Sequence, residues 1–298
     1  MSKPAFAILG SRAVLAVGGE DRVAFLQGLV STDVASVGAA KAIHTAFLTA
    51  QGKYLHDFFI AALGDGFVLD CEAARAEDLK KRLSIYRLRS KVTIDMRPDL
   101  AVAAVFGAGG AQSLSLASEA GAAGPLDGGV AFVDPRLADA GARAILPADS
   151  AAATLDAAGL TARPPSDYDR LRLALGLPDG SRDLVPEKSI LLENGFDELN
   201  GVDWDKGCFL GQELTARTHY RGLVKKRLMP VEIDGPLPAA GTPVMLDGKD
   251  AGEMRSGEGS LGLALLRLEA VERAEAEDLA LTVGEARLAP KKPGWASF

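Results

Sequence analysis

The 298-residue sequence is poor in cysteine: it has two, Cys71 and Cys208, and no C-x-x-C pair. That argues against a secreted disulfide framework and fits a reducing compartment. A chain of this length buries a large core without cross-links. The three histidines, His44, His56 and His219, are scattered. The closely spaced ligand set of a structural zinc site is therefore missing, and no resident metal is expected. There is no excess of positive charge, since the net charge is −7. Broad, sequence-independent nucleic-acid binding needs a basic face, so the balance argues against it without excluding a local basic patch. No apolar run reaches the roughly 18 residues of a membrane span. Met1-Ser2-Lys3-Pro4 leads into a short apolar stretch before Arg12, which is not the build of a signal peptide, so the expected location is the cytoplasm.

What is present reads as mixed α and β. Glu20 to Val30 has the pattern of a short amphipathic helix with an acidic first turn. Ala42 to Leu48, Tyr54 to Ala62 and Phe67 to Asp70 read as three strands joined by short turns, an antiparallel meander. Gly52 supplies the permissive backbone of the turn Thr49-Ala50-Gln51-Gly52-Lys53. Ala73 to Leu88 reads as a charged helix with Leu79, Leu83, Tyr86 and Leu88 facing inward. Further strands are expected at Lys91 to Asp95 and Leu100 to Phe106. Gly107-Ala108-Gly109-Gly110 imitates a dinucleotide fingerprint, but Gln112 stands where the third glycine belongs, so a surface loop is the better reading. Arg163-Pro164-Pro165-Ser166 is a connector to a helix at Asp167 to Leu175. From Leu223 onward, short strand-like runs alternate with Gly, Asp and Pro, which suggests a small all-β barrel and a boundary near residue 224.

The most specific segment is Lys206-Gly207-Cys208-Phe209-Leu210-Gly211-Gln212-Glu213. Gly207 permits a tight bend or a close ligand approach. Lys206, Arg217 and Arg221 are cationic neighbours that favour the thiolate of Cys208, the form that binds metals and attacks electrophiles. A helix starting near Gly211 would add its N-terminal N–H groups to that effect. The plainer reading is a small buried hydrophobe. Cys71, flanked by Asp70 and Glu72, is the weaker candidate, because anionic neighbours raise a thiol pKa.

This segment resembles the K-G-C-[YF]-x-G-Q-E signature of the YgfZ family, folate-binding proteins of the glycine-cleavage T-protein superfamily that support iron–sulfur cluster maturation. The family's mitochondrial cluster-assembly factor is also similar. Other segments agree in order. Phe25 to Val34 resembles the family's opening helix and turn. Phe47-Leu48-Thr49-Ala50-Gln51-Gly52-Lys53 resembles its L-L-T-P-Q-G-K/R turn, with Ala50 in place of proline. Tyr86-Arg87-Leu88-Arg89-Ser90-Lys91-Val92 resembles its Y-R-L-R-x-K-V segment, and Asp134-Pro135-Arg136 also matches.

The resemblance implies an α+β, T-protein-like folate-binding region around a central channel (residues 1–223) and a small C-terminal β-barrel (residues 224–298). It implies tetrahydrofolate as cofactor, with Asp57 on the pterin side and Arg217, Arg221, Lys225 and Lys226 toward the anionic tail. Lys206, Gly207, Gln212 and Glu213 of the signature are assigned to the same cofactor site, with Cys208 as its reactive residue. Implied partners are iron–sulfur assembly proteins or client iron–sulfur enzymes. A true aminomethyltransferase carries an adjacent aspartate pair where this chain has His56-Asp57, and it lacks the cysteine signature, so one-carbon transfer is the alternative reading. A third, an RNA- or protein-binding module without chemistry, rests on Lys225-Lys226-Arg227, which reads more plainly as solvated surface.

Overall fold

The structure, a computed structural model, describes residues 3–222 and 224–298. Leu223, where the sequence character changes, and Met1 and Ser2 of the N-terminal reading lie outside the described residues. The chain divides into two compact units. The first is Met1–Leu48, Leu55–Tyr168 and Leu199–Leu210; the second is Thr49–Tyr54, Asp169–Glu198 and Gly211–Phe298.

The first unit holds strands β1 (Ala5–Ile8), β2 (Arg12–Gly18), β3 (Ile43–Leu48), β4 (Tyr54–Leu63), β5 (Gly66–Glu72), β6 (Thr93–Met96), β7 (Leu100–Phe106), β8 (Ala123–Leu126), β9 (Gly129–Val133), β10 (Ala142–Pro147) and β11 (Thr161–Ala162). Its helices are α1 (Arg22–Gln27), α2 (Ala76–Arg87), α3 (Gly110–Ser113) and α4 (Ala151–Ala157), and α5 (Pro165–Leu175) leads out of it. The strands form two sheets, ordered β3-β4-β5-β2-β6 and β11-β1-β7-β10-β9-β8. The expected meander β3-β4-β5 is present, and β2 joins it by pairing antiparallel with β5.

Strand alternation explains the layers. Successive side chains of a strand point to opposite faces. On β4, Phe58 and Ile60 join Phe25, Leu26, Leu79 and Leu83 in a core under α1 and α2. Phe59 and Ala61, one residue out of phase, join Val102, Phe132 and Ile145 in a core between the two sheets. Ala103, Val105 and Leu155 form a third core on the far face of the six-stranded sheet. Leu79 and Leu83 face inward on α2 as expected. Tyr86 and Leu88 do not: they are 40% and 88% exposed. The helix ends at Arg87, so the helical spacing that put Leu88 under the helix no longer applies there.

The second unit contains α6 (Gln212–Tyr220), α7 (Leu268–Ala276) and strands β12 (Lys226–Asp234), β13 (Pro243–Leu246), β14 (Lys249–Glu258), β15 (Leu261–Arg267), β16 (Leu281–Val283) and β17 (Ala286–Pro290). These six strands close into a barrel in the order β12-β15-β14-β13-β16-β17. Sequence patterning anticipates five of them. It misses β14, whose Lys249, Asp250, Gly252, Glu253 and Gly257 break the apolar alternation while Ala251 and Met254 still reach the barrel core. Arg172 is buried in this unit, donating to Asp183 at 2.8 Å and to Ser256 Oγ at 2.8 Å. Among the described residues no helix is long and apolar enough to cross a membrane. The α+β region followed by a small closed barrel is the fold that the sequence led us to expect.

Candidate functional site

Two features of the first unit carry chemistry. The first is the segment that bears Cys208. Asn200 Nδ2 donates to Pro135 O at 3.0 Å, Ser31 Oγ donates to Gly201 O at 2.6 Å, and Asp203 N donates to Ser31 O at 2.9 Å. Beyond that, Lys206 Nζ donates to Gln27 O at 2.7 Å and Val30 O at 2.5 Å, and Leu210 N donates to Gly28 O at 3.0 Å. A helix leaves its last carbonyls without intrahelical partners, and a cation near that end is stabilising. Lys206 does this for α1, and its ammonium also lies 5.1 Å from the Phe209 ring. Burial pushes Lys206 down to about 8, while Asp33 and Asp203 oppose the shift.

Cys208 is exposed on this pinned loop, not a buried hydrophobe. The sequence reading made Lys206 an activator of the thiol; its ammonium instead faces backbone carbonyls. Gly207 has φ +90, and a Cβ there would meet nothing within 4 Å, so the glycine serves the bend and not a crowded contact. Cys71 is buried on β5, donates to Ala13 O, and has its thiol pushed up to about 12, first by burial.

The second feature lies between the two sheets. Asp57 is 5% exposed in the middle of β4, not at a solvent-facing strand end, and its Oδ2 is 3.2 Å from His44 Nε2. Burial lowers the His44 pKa below 6.5, so the ring is neutral at pH 7. Around them Arg136 makes a bidentate pair with Asp134 at 3.0 and 2.8 Å, Arg143 donates to Asp70 at 2.7 Å and to Tyr168 Oη at 3.0 Å, and Arg12 donates to Asp70 at 2.6 Å. The guanidinium carbons of Arg12, Arg136 and Arg143 lie 5.8, 5.0 and 4.0 Å from the Phe59 ring centre. Burial alone would raise the Asp134 pKa, but Arg136 and then Arg143 hold it down at about 2. Arg136 pairs with Asp134, and Arg12 and Arg143 both pair with Asp70, so each of these charges has an opposite partner inside an otherwise apolar core, as buried charges require.

His56 points the other way from Asp57, as adjacent strand residues must. Its Nε2 is 2.9 Å from Asp78 Oδ2, and its pKa falls to about 4, mainly by burial and then by Arg75.

The remaining candidates belong to the second unit. Gln212 and Glu213 open α6, where Gly211 at φ +79 offers no side-chain cap, and Glu213 sits in the first turn. Gly52, at φ +80, has Gly211 O and Leu214 Cβ 2.6 Å from where its own Cβ would stand, which explains the glycine of this turn. Arg217 and Arg221 are exposed, as is Lys225; Lys226 is half-buried. Arg227 is buried and donates to Leu192 O at 2.7 Å, with Glu198 at 3.3 Å. The triplet Lys225-Lys226-Arg227 is therefore not a continuous solvated basic surface. Asn194 Oδ1 and Thr215 Oγ1, also in this unit, are buried without a hydrogen-bond partner among the described residues. Among those residues no group of three or more His, Cys, Asp or Glu stands close enough to hold a metal.

Sequence reasoning named Asp57 and Cys208 as candidates and did not single out His44, Arg12, Asp70 and Arg143, which the structure groups near Asp57. The available signal was a charge inside an apolar strand run, as in Phe67-Val68-Leu69-Asp70-Cys71 or Ala142-Arg143-Ala144-Ile145.

A family model described as "CAF17, C-terminal beta-barrel domain" matches residues 225–298. The chain is 36% identical over 289 residues to the protein named "Iron-sulfur cluster assembly factor IBA57, mitochondrial" of Mus musculus, covering 89% of this chain and 78% of that protein. It is 37% identical over 284 residues to the protein of the same name in Homo sapiens, with the same coverage of 89% and 78%. The crystal structure of the glycine cleavage system aminomethyltransferase T from Bartonella henselae superposes with a TM-score of 0.76 at 16% identity, covering 98% of this chain and 86% of that one. At that identity the likeness speaks for the fold alone. The relatives' mitochondrial names overturn the cytoplasmic expectation. Cysteine usage reports only on redox environment, and a cytoplasm and a mitochondrial matrix are both reducing.

Proposed function

The chain belongs to the family of the iron–sulfur cluster assembly factor IBA57, and from that membership we propose a YgfZ-type, folate-dependent factor for iron–sulfur cluster assembly or repair, with Cys208 as its reactive group. The observation that carries this reading is the exposed Cys208 on a loop pinned at Ser31, Gly28, Gln27 and Val30. A thiolate presented on a fixed loop suits a cluster or sulfur species that arrives and leaves. One cysteine cannot hold a cluster, which takes four protein ligands. Cys71, buried with its thiol pushed up to about 12, does not supply a second. The cluster is therefore cargo shared with a partner, an assembly protein or a client iron–sulfur enzyme.

Tetrahydrofolate fits the residues present. Asp57 offers a buried carboxylate beside a neutral imidazole, which suits the N–H edge of a pterin. Arg217 and Arg221 are exposed cations for a carboxylate tail. When bound, the folate supplies a carrier for one-carbon units; Asp57 orients it, and Gly207 keeps the Cys208 loop bent. We take residues 1–223 as the folate-binding part, with the barrel following from 224.

Aminomethyl transfer is the second reading, the alternative that the sequence resemblance leaves open. His56, neutral and turned toward Asp78, does not provide the second carboxylate beside Asp57.

The deciding experiment compares wild type, Cys208→Ala and Asp57→Asn. Cys208→Ala should fold and bind tetrahydrofolate, by titration calorimetry, yet fail to restore iron–sulfur enzyme activity in cells lacking the factor. Asp57→Asn should weaken tetrahydrofolate binding roughly tenfold, about 1.4 kcal/mol. Full complementation by Cys208→Ala would sink the cysteine assignment, and turnover of a lipoyl-bound aminomethyl donor would favour the transferase.

A further inference from the structure

Helix α2 is apolar on two sides. Leu79 and Leu83 pack into the core, whereas Ile85 and Leu88 are 63% and 88% exposed. Lys81, Ser84 and Ile85 follow one another at the spacing i, i+3, i+4 and share the outward face of α2, and Leu88 stands exposed at the non-helical cap just beyond it. Every residue from Ser84 to Arg89 is exposed. Scattered surface leucines need no explanation, but Ile85 and Leu88 are two large aliphatics exposed three residues apart and rimmed by charge, the composition of an interaction surface.

The backbone adds a second observation. Leu88 has φ 44 and ψ −109. This is a backbone region that a branched residue adopts only under constraint, and such strain clusters at ligand clamps and contact sites. The chain holds a leucine outward here instead of burying it.

Charge adds a third. Between positions 80 and 91 stand Lys80, Lys81, Arg82, Arg87, Arg89 and Lys91 with no carboxylate, in a chain of net charge −7. Arg82 pairs with Asp78 and Lys91 with Glu20. Lys80, Lys81, Arg87 and Arg89 make no ion pair among the described residues. A cationic patch that persists in an acidic protein is complementary to an acidic partner.

We propose that the outer face of α2 and the turn after it, Lys81 to Arg89, is a docking surface for a protein partner that presents an acidic segment with an aliphatic side chain at its centre. The aliphatic group seats on Ile85 and Leu88, and the carboxylates meet Lys81, Arg87 and Arg89. The edge of the patch favours a protein over a lipid surface or a nucleic acid. Asp21, which accepts from Lys91 N at 2.7 Å, lines a shallow concavity with Leu88, Arg89 and Ser90. Asp21 thus sets a carboxylate beside the exposed Leu88, so the partner must meet this edge with its aliphatic centre and not with its carboxylates, which a uniformly anionic surface does not offer. Tyr86, the one aromatic of the patch, is engaged with Phe47 in a T-shaped contact at 5.9 Å, which leaves the aliphatic Ile85 and Leu88 as its most exposed apolar groups. Only a partner with mixed charge and apolar surface matches all of these groups.

The test uses the full chain and a fluorescein-labelled, Glu-rich peptide with paired central leucines, followed by fluorescence anisotropy. Its counterpart carries serines for the leucines. Wild type should bind the leucine peptide roughly tenfold more tightly than the serine peptide. Leu88→Ser and the double variant Arg87→Glu/Arg89→Glu should each lose roughly tenfold in affinity, and Lys249→Glu on the barrel should lose nothing. All three variants should keep the wild-type melting temperature, because the side chains removed are exposed. Equal binding of the two peptides, or unchanged binding by both patch variants, overturns the proposal. So does preferential binding to phosphatidylserine vesicles or to poly-uridine RNA that the same variants abolish.

Discussion

Replacing Lys206 by methionine keeps the length of the side chain and removes its charge. In the native protein the ammonium donates to Gln27 O at 2.7 Å and Val30 O at 2.5 Å, at the open end of α1. Losing those bonds leaves backbone carbonyls poorly satisfied, which costs roughly 1–3 kcal/mol. Relief of a desolvated charge offsets part of this. At pH 7 we expect a net loss of about 1–2 kcal/mol. The pH dependence is the sharper test. Lys206 titrates at about 8 when folded, against about 10.4 in an unfolded chain. Between those values the unfolded state binds more protons than the native state, so the wild type gains stability relative to the variant as pH rises from about 8 to about 10. The full shift corresponds to at most about 3.3 kcal/mol; screening of a half-exposed group reduces that to about 1.5 kcal/mol. Urea unfolding of both proteins at a series of pH values reads this difference directly, since other lysines and tyrosines titrate equally in both and cancel. A stability difference that stays flat from neutral to alkaline pH would refute the reading of Lys206 as a desolvated clamp on α1.

Other expectations follow from the same geometry. Gly52→Ala should lower stability by about 1–3 kcal/mol, because the new Cβ meets Gly211 O and Leu214 Cβ at 2.6 Å with φ at +80; thermal unfolding measures it, and an unchanged midpoint would contradict the close approach. Native protein should react with a thiol reagent at Cys208 alone, and at Cys71 only after denaturant is added, since burial pushes the Cys71 thiol up to about 12; two fast thiols in the native state would be inconsistent with this. Arg172→Met should destabilise by about 3–5 kcal/mol by stranding Asp183 in the core, and the loss should shrink when Asp183→Asn is added, as a double-mutant cycle in urea would reveal.

Much of the fold was legible in local pattern. The meander β3-β4-β5, the turn at Gly52 and most barrel strands announce themselves through alternation, turn residues and a glycine with a reason. Legibility failed where local pattern and tertiary contact disagree. Leu88 continues a helical apolar face in the sequence, but the helix stops one residue earlier and the leucine faces outward. Arg227 sits in a basic triplet that reads as solvated, yet Glu198, Asp197 and Leu192 O receive it inside the second unit. Strand β14 is too rich in glycine and charge to be read as a strand, and its pairing with β13 and β15 supplies what its own residues do not.

The candidate site divides in the same way. The eight-residue signature around Cys208 determined, without any coordinates, which residue to watch and which family to compare. Its chemistry depends on residue identity and spacing, and these are properties of the chain itself. The sequence could not determine the partners of Lys206, because they are backbone carbonyls at the end of a helix and just beyond it, about 180 residues earlier. Nor could it determine the paired cluster of Arg12, Asp70, Asp134, Arg136 and Arg143 around Phe59, whose members come from four separate parts of the chain. Each looks like an isolated charge in an apolar stretch. Only the packing of one sheet on the other brings them within a few ångströms, where mutual pairing compensates the free energy of taking every one of them out of water.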